Sequence, residues 1–250
     1  MKSFLTKISL QSGKILMSNY GKIKFIRVKD KLSYVTNADL ESEKCIISAI
    51  RKKFPSHDIV SEESGSLGKN SDYRWFIDPL DGTHNYINKI PLFGVSIALE
   101  HNGKVILGAI SLPCLDELYI AEKGKGAFLN GKRIRVSGKK ELKKSFILTD
   151  LVLRYNPETK LKMLNRLKGL VYDIRVLGSS VYAFAAVAKG SADAYVTALT
   201  NSWDMAAGAL IVEEANGKVT DFNGKEWKAE KGRFLSSNKK IHDKLLKLLR

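Results

Sequence analysis

The chain has 250 residues, 44% hydrophobic and 27% charged, the balance of a soluble globular protein rather than a disordered or fibrous one. Lys and Arg total 42 against 26 Asp and Glu, a formal charge of +16. The lysines run along the whole length with no block of five like charges, so they read as a solvated surface that attracts anionic substrates more than as a nucleic-acid stripe.

In chain order, MKSFLTKISLQSGKIL has apolar residues at helical spacing, broken by Lys7, Gln11 and Lys14. It predicts a helix over 4–18 and lacks the continuous apolar core of a secretory signal, so a cytoplasmic address is expected. A second helix is predicted from Asn37 or Asp39 to Phe54, with Pro55 closing it. Cys45 and Cys114 stand far apart, which suits reduced thiols better than a disulfide framework. Strands are expected around Ile59–Val60 and Arg74–Ile77, and Asn102-Gly103 and Asn130-Gly131 each predict a hairpin. From about residue 146 the pattern alternates. FILTD reads as a strand, 157–168 as a helix, DIRVL as a strand, VYAFAAVA as a helix, ADAYV as a strand and Trp203–Ala215 as a helix. KVTDF and RFLSS follow as strands, and KKIHDKLLKLLR as a basic terminal helix. No apolar run reaches the roughly 20 residues that span a bilayer. The pattern is that of a mixed α/β (α+β) protein with layered sheets and helices. It has a hairpin-rich half over 1–145 and an alternating half over 146–250, with no linker between them.

The chemistry is concentrated in WFIDPLDGTHNYI, residues 75–87. Pro79 cannot donate to a ladder, so the strand is expected to end there and leave Asp78 at its carboxyl end, where α/β proteins keep their sites. Gly82-Thr83 then opens a short helix whose first amides favour an anion. Amides that attract anions beside two carboxylates, Asp78 and Asp81, make sense where cations intervene. Glu62-Glu63 in VSEESG, Asp204 in SWDMAAG and Asp39 in VTNAD have the same look. Taken singly, each also reads as a helix cap or a surface loop. With only four histidines and no Cys/His cluster, the donors are oxygens, which suit Mg²⁺ before Mn²⁺ or Ca²⁺. A nucleophilic serine elbow, a Walker loop and a dinucleotide fingerprint are all missing from the sequence.

Together these segments resemble the inositol monophosphatase family, in the lithium-sensitive, metal-dependent phosphatase superfamily that includes fructose-1,6-bisphosphatases. WFIDPLDGTHNYI resembles its first signature, VSEESG its G-E-E-S element and SWDMAAGALIVEEANG its second signature, in family order. The resemblance implies a layered αβαβα sandwich of the sugar-phosphatase type, commonly a homodimer. It also implies two or three Mg²⁺ ions held by Glu62, Asp78, the Leu80 carbonyl, Asp81 and Asp204. Glu62 and Thr83 would orient the attacking water, with Asp39 in their network. The Gly82 and Thr83 amides would hold the phosphate, and Lys29 is similar to a basic residue of the family's mobile loop.

On the substrate side, Asp81, Gly178, Ser179 and Ser180 match lining positions, and Arg175 precedes them at the family's spacing. Thr197 stands where the family places an inositol-binding glutamate, so inositol 1-phosphate is not assured and a bisphosphate would be tolerated beside Arg175. A nucleotide phosphatase acting on 3′-phosphoadenosine 5′-phosphate is an alternative. The match is poorer there, since those enzymes usually read D-G-T-K-E-F where this chain has DGTHNYI. A rival of another class is an idle member that binds RNA or a protein through its basic surface. The implied partner is a small phosphate ester, with no membrane and no nucleic acid.

Overall fold

The computed structural model describes residues 1–29, 33–68, 70–151 and 157–250. Two long helices open the chain. Lys2–Asn19 buries Leu5, Ile8, Ser12 and Leu16 along one stripe, the spacing of an amphipathic helix. Asn37–Lys53 starts in a capping box, in which the Thr36 side chain accepts from the helix and Asp39 accepts from the Thr36 amide at 2.8 Å. Both helices lie on an eight-stranded mixed sheet and enclose one core around Ile46, Trp75, Ile97 and Ala109.

That sheet runs from its Lys132–Arg133 edge strand through the central Tyr73–Asp81 strand to Gly65–Leu67. Both Asn-Gly hairpins form as expected, between Gly94–His101 and Lys104–Leu112 and between Gly126–Leu129 and Lys132–Arg133. The strand Glu117–Glu122 lies between them and has no counterpart in the sequence expectation.

A five-stranded sheet holds Phe146–Thr149, Asp173–Val176, Ala194–Thr200, Lys218–Asp221 and Gly232–Ser237. The helices Ser180–Ala188 and Ser202–Glu214 pack between the two sheets, sharing a core with Phe76, Ile110, Leu148 and Tyr195. Pro157–Leu167 and His242–Leu249 cover the far face through Met163, Leu167 and Leu245. The layers are therefore helix, sheet, helix, sheet, helix, the expected αβαβα sandwich. No described helix is long and apolar enough to cross a membrane.

Small residues set the depth of the middle layer. A side-chain carbon on Gly208 would meet Phe184 at 2.3 Å, and one on Gly108 would meet the Ala207 backbone at 3.0 Å. The Ala206-Ala207-Gly208 run thus lets the Ser202–Glu214 helix lie close to both neighbours, which carries Asp204 at its first turn to the central strand.

Pro79 does not end the central strand, contrary to the sequence expectation: the strand continues to Asp81. The parallel neighbour stops at Ser61 opposite Ile77, and the antiparallel register skips between Asp78–Ser96 and Asp81–Gly94. Pro79 falls in this irregular stretch, where a missing amide breaks no ladder bond.

Candidate active site

A cavity of about 640 Å³ opens where the two sheets meet the middle helices. Glu62, Asp78, Leu80, Asp81, Gly82, Thr83 and Asp204 line it, with Gly178, Ser179 and Ser180. One carboxylate oxygen from each of Asp78, Asp81 and Asp204 can be chosen so that all three lie within 4.8 Å of one another. The register irregularity supports this convergence by letting Asp78 and Asp81 of one strand serve one site.

Each acid is aimed by donors. The Leu80 amide donates to Asp78 Oδ1 at 3.0 Å. Ser179 Oγ donates to Asp81 Oδ2, and the Ser180 and Val181 amides donate to the same carboxylate at 3.1 and 3.3 Å. Asp204 Oδ2 accepts from the Asn201 amide at 2.9 Å and from Thr200 Oγ1 at 3.2 Å. The helix-cap reading of Asp204 holds, since its carboxylate accepts from the Asn201 amide, and the same carboxylate packs against Asp78 and Asp81 and lines the cavity.

The cluster carries more negative charge than its surroundings accept. Burial, with the charges of Glu62, Asp81 and Asp204 adding, holds the Asp78 carboxyl well above the ordinary carboxylate range. Burial and Asp204 push Asp81 up to about 7, against the pull of its Ser179, Ser180 and Val181 donors. Burial and Glu62 raise Asp204 to about 6. Among the described residues no lysine or arginine lies within salt-bridge distance of these three. An oxygen-only donor set, buried, convergent and short of positive charge, fits hard divalent cations.

Glu62 sits at the cavity edge, where Lys29 Nζ donates to its Oε1 at 2.9 Å and also to Glu63. Burial works against the Lys29 charge, but the two glutamates outweigh it and hold the ammonium well above its usual range. Behind the acids, Thr83 Oγ1 lies 3.0 Å from the Leu80 carbonyl and 3.4 Å from Asp39 Oδ1. Thr36 donates twice to Asp39, so one carboxylate caps its helix and faces Thr83. Burial raises Asp39 to about 6 even against those donors.

Gly82 has φ +80, and a side-chain carbon there would meet the Leu92 carbonyl oxygen at 2.9 Å. Thr83–Ile87 follows as a helical turn whose first amides have no partner four residues back. Gly82→Ala must therefore strain the backbone by about 1–3 kcal/mol. Differential scanning fluorimetry should show a Tm lower by roughly 3–8 °C.

The substrate-side residues divide. Ser179 is the N-cap of its helix as well as a donor to Asp81. Ser180 Oγ pairs with the Tyr195 hydroxyl at 3.1 Å, and both residues line the cavity. Arg175 and Thr197 are not brought to it. Arg175 lies on an exposed strand end paired with Asp173, and Thr197 is buried in its strand opposite Phe234. Sequence reasoning missed Asp150, Tyr195 and Asn201, which also line the cavity. The signal for Asp150 was its place just after a parallel strand, where open α/β sheets put their ligands.

The model of the inositol monophosphatase family matches residues 1–250. The chain belongs to that family. It is 38% identical over 247 residues to the fructose-1,6-bisphosphatase/inositol-1-monophosphatase of Thermotoga maritima, covering 98% of this chain and 94% of that protein. It is also 38% identical over 255 residues to the Nus factor SuhB of Pseudomonas aeruginosa, with the same coverage. The solved native structure of extragenic suppressor protein suhB from Bartonella henselae superposes with a TM-score of 0.93 at 36% identity, covering 99% of this chain and 97% of that one. Membership, with relatives named as phosphatases, makes this family member a phosphatase.

Proposed function

We propose that the protein is a Mg²⁺-dependent phosphomonoesterase that hydrolyses a sugar or cyclitol phosphate by direct attack of water. The observation that carries this reading is the convergence of Asp78, Asp81 and Asp204, with no lysine or arginine among the described residues at salt-bridge distance. Glu62, Asp78, the Leu80 carbonyl, Asp81 and Asp204 would hold two or three Mg²⁺ ions. When bound, the ions neutralise the phosphate oxygens, acidify the attacking water and balance the leaving alkoxide.

The chain's own groups position the rest. The Gly82 and Thr83 amides bind the phosphate, and Glu62 and Thr83 orient the water. Thr83 Oγ1 has one proton, which it gives to the Leu80 carbonyl or to Asp39. When it donates to Asp39, its lone pairs are left to accept from the water, and the hydroxyl passes its own proton to Asp39 as it takes the one the water gives up. A serine or cysteine nucleophile is not required: the water oxygen bonds to phosphorus as the ester P–O bond breaks, the alkoxide takes up a proton, and inorganic phosphate and the free alcohol leave without a phospho-enzyme. Thr83→Ala should lower kcat about 10²-fold with KM nearly unchanged, as expected for an orienting group.

The test is phosphate release from inositol 1-phosphate, fructose 1,6-bisphosphate and 3′-phosphoadenosine 5′-phosphate, with and without Mg²⁺. Release from the first two, abolished by chelator, supports the reading. The +16 charge and the likeness to a protein named as a Nus factor favour one rival, an RNA-binding role without turnover. No release from any ester, together with salt-sensitive RNA binding, would establish that rival.

A further inference from the structure

Outside the acid cluster, the cavity is lined by Leu148–Leu151, Val176–Ser180 and Tyr195. Leu148, Leu151, Val176 and Leu177 make its apolar part, and Thr149, Ser179, Ser180 and Tyr195 bring hydroxyls. Among the described lining residues, Asp150 is the one carboxylate that does not belong to the cluster or to Glu62. It follows the parallel strand Phe146–Thr149, and its two oxygens are fixed separately. Oδ1 accepts the Ala198 amide at 3.0 Å and Oδ2 accepts Lys160 Nζ at 3.1 Å. The Lys160 side chain is 3% exposed, whereas Asp150 keeps 16% of its side chain open.

A carboxylate has about four acceptor positions, and the Ala198 and Lys160 donors occupy one on each oxygen. Among the described donors this leaves one lone pair per oxygen, on a group held at the cavity wall. The Lys160 ammonium already balances the Asp150 charge, so a cationic ligand gains little there, while a neutral hydroxyl donor gains a charge-assisted hydrogen bond. The Ser180–Tyr195 hydroxyl pair adds a second polar point to the same wall. Burial keeps the Tyr195 phenol well above its usual range, so it remains a proton donor.

From this arrangement we infer that Asp150, held by Lys160 and the Ala198 amide, binds hydroxyl groups of the substrate's alcohol and selects polyol phosphates over esters without neighbouring hydroxyls. The inference rests on the phosphatase reading and names which alcohol that site prefers. Sites built to accept a hydroxyl discriminate strongly against analogues lacking it, because the acceptor is then left unpaired.

The experiment compares kcat/KM for inositol 1-phosphate and fructose 1,6-bisphosphate with that for p-nitrophenyl phosphate in Mg²⁺-loaded protein. Asp150→Asn keeps the shape and the Ala198 contact but loses the charge. It should lower kcat/KM for the polyol esters about 10–100-fold, mainly through KM, and change the hydroxyl-free ester less than threefold. Because Asn takes away the carboxylate charge that Lys160 bonds, Asp150→Asn/Lys160→Met is run beside it and should give the same pattern. Equal losses on all esters, or no loss on any, would overturn the inference. So would a wild type that hydrolyses p-nitrophenyl phosphate as efficiently as the polyol esters, an outcome that leaves the phosphatase reading standing.

Discussion

Asp78→Asn should reduce phosphate release at least 10³-fold while raising the melting temperature of the metal-free protein. The two effects have one cause. Asp78 is 1% exposed, and its charge is opposed by burial and by Glu62, Asp81 and Asp204. Asparagine has nearly the same shape, and its Oδ1 can still accept the Leu80 amide that Asp78 Oδ1 accepts at 3.0 Å. The substitution therefore removes repulsion without opening a cavity, and the empty cluster becomes easier to bury. The same change removes a ligand charge shared between the proposed cation positions, and with it the stabilisation of developing charge on the phosphate. Scanning fluorimetry in chelator should show the rise. Added Mg²⁺, which should stabilise the wild type, should leave the variant nearly unmoved. Wild-type turnover by the variant would remove Asp78 from the machinery, and a lower metal-free Tm would contradict the repulsion account.

The acid positions were legible in the sequence because short local patterns fix them. Asp78, Asp81, Gly82 and Thr83 lie within six residues, so the turn that joins them is written in one segment. Their meeting with Asp204 is different in kind. It depends on a strand and a helix more than 100 residues apart, and on Ala206-Ala207-Gly208 permitting close approach. The residues alone marked Asp204 as one more acid with the same look, and the family resemblance joined it to Asp78 and Asp81 in one site. Most long helices and both hairpins were visible from apolar spacing and Asn-Gly pairs.

What stayed hidden has physical reasons. Ile26–Val28, Tyr34–Thr36 and Gly65–Leu67 are three-residue strands, too short to show a period. Pro79 misled because its missing amide was taken to require a neighbour on the ladder, and the neighbours on both sides leave that position unpaired. Arg175 fits a spacing pattern, yet its guanidinium is turned to Asp173 on the same strand. Asp150 carries no motif. Its role comes from Lys160 and the Ala198 amide, which reach it from a helix and a neighbouring strand.

The stabilisation that Mg²⁺ provides should depend steeply on pH, and its sign follows from the same carboxylates. Burial and mutual repulsion raise Asp81 to about 7 and Asp204 to about 6, with Asp78 also raised well above its usual value. The unfolded chain titrates its aspartates near pH 3.9. Between about pH 4 and 7 the metal-free folded protein thus binds more protons than the unfolded chain. Its stability from these groups is complete below about pH 4 and is lost as pH rises through 7. Cations take the place of those protons, so they bind weakly at pH 5.5 and well at pH 8. At 100 times the dissociation constant one bound ion contributes about 2.7 kcal/mol, or roughly 5–10 °C for a domain of this size. A shift of that size at pH 8, falling below about 2 °C at pH 5.5 in the same Mg²⁺ concentration, is the expected result. In Asp78→Asn the pH 8 shift should vanish together with activity. An equal shift at both pH values would place the stabilising ion somewhere other than this cluster.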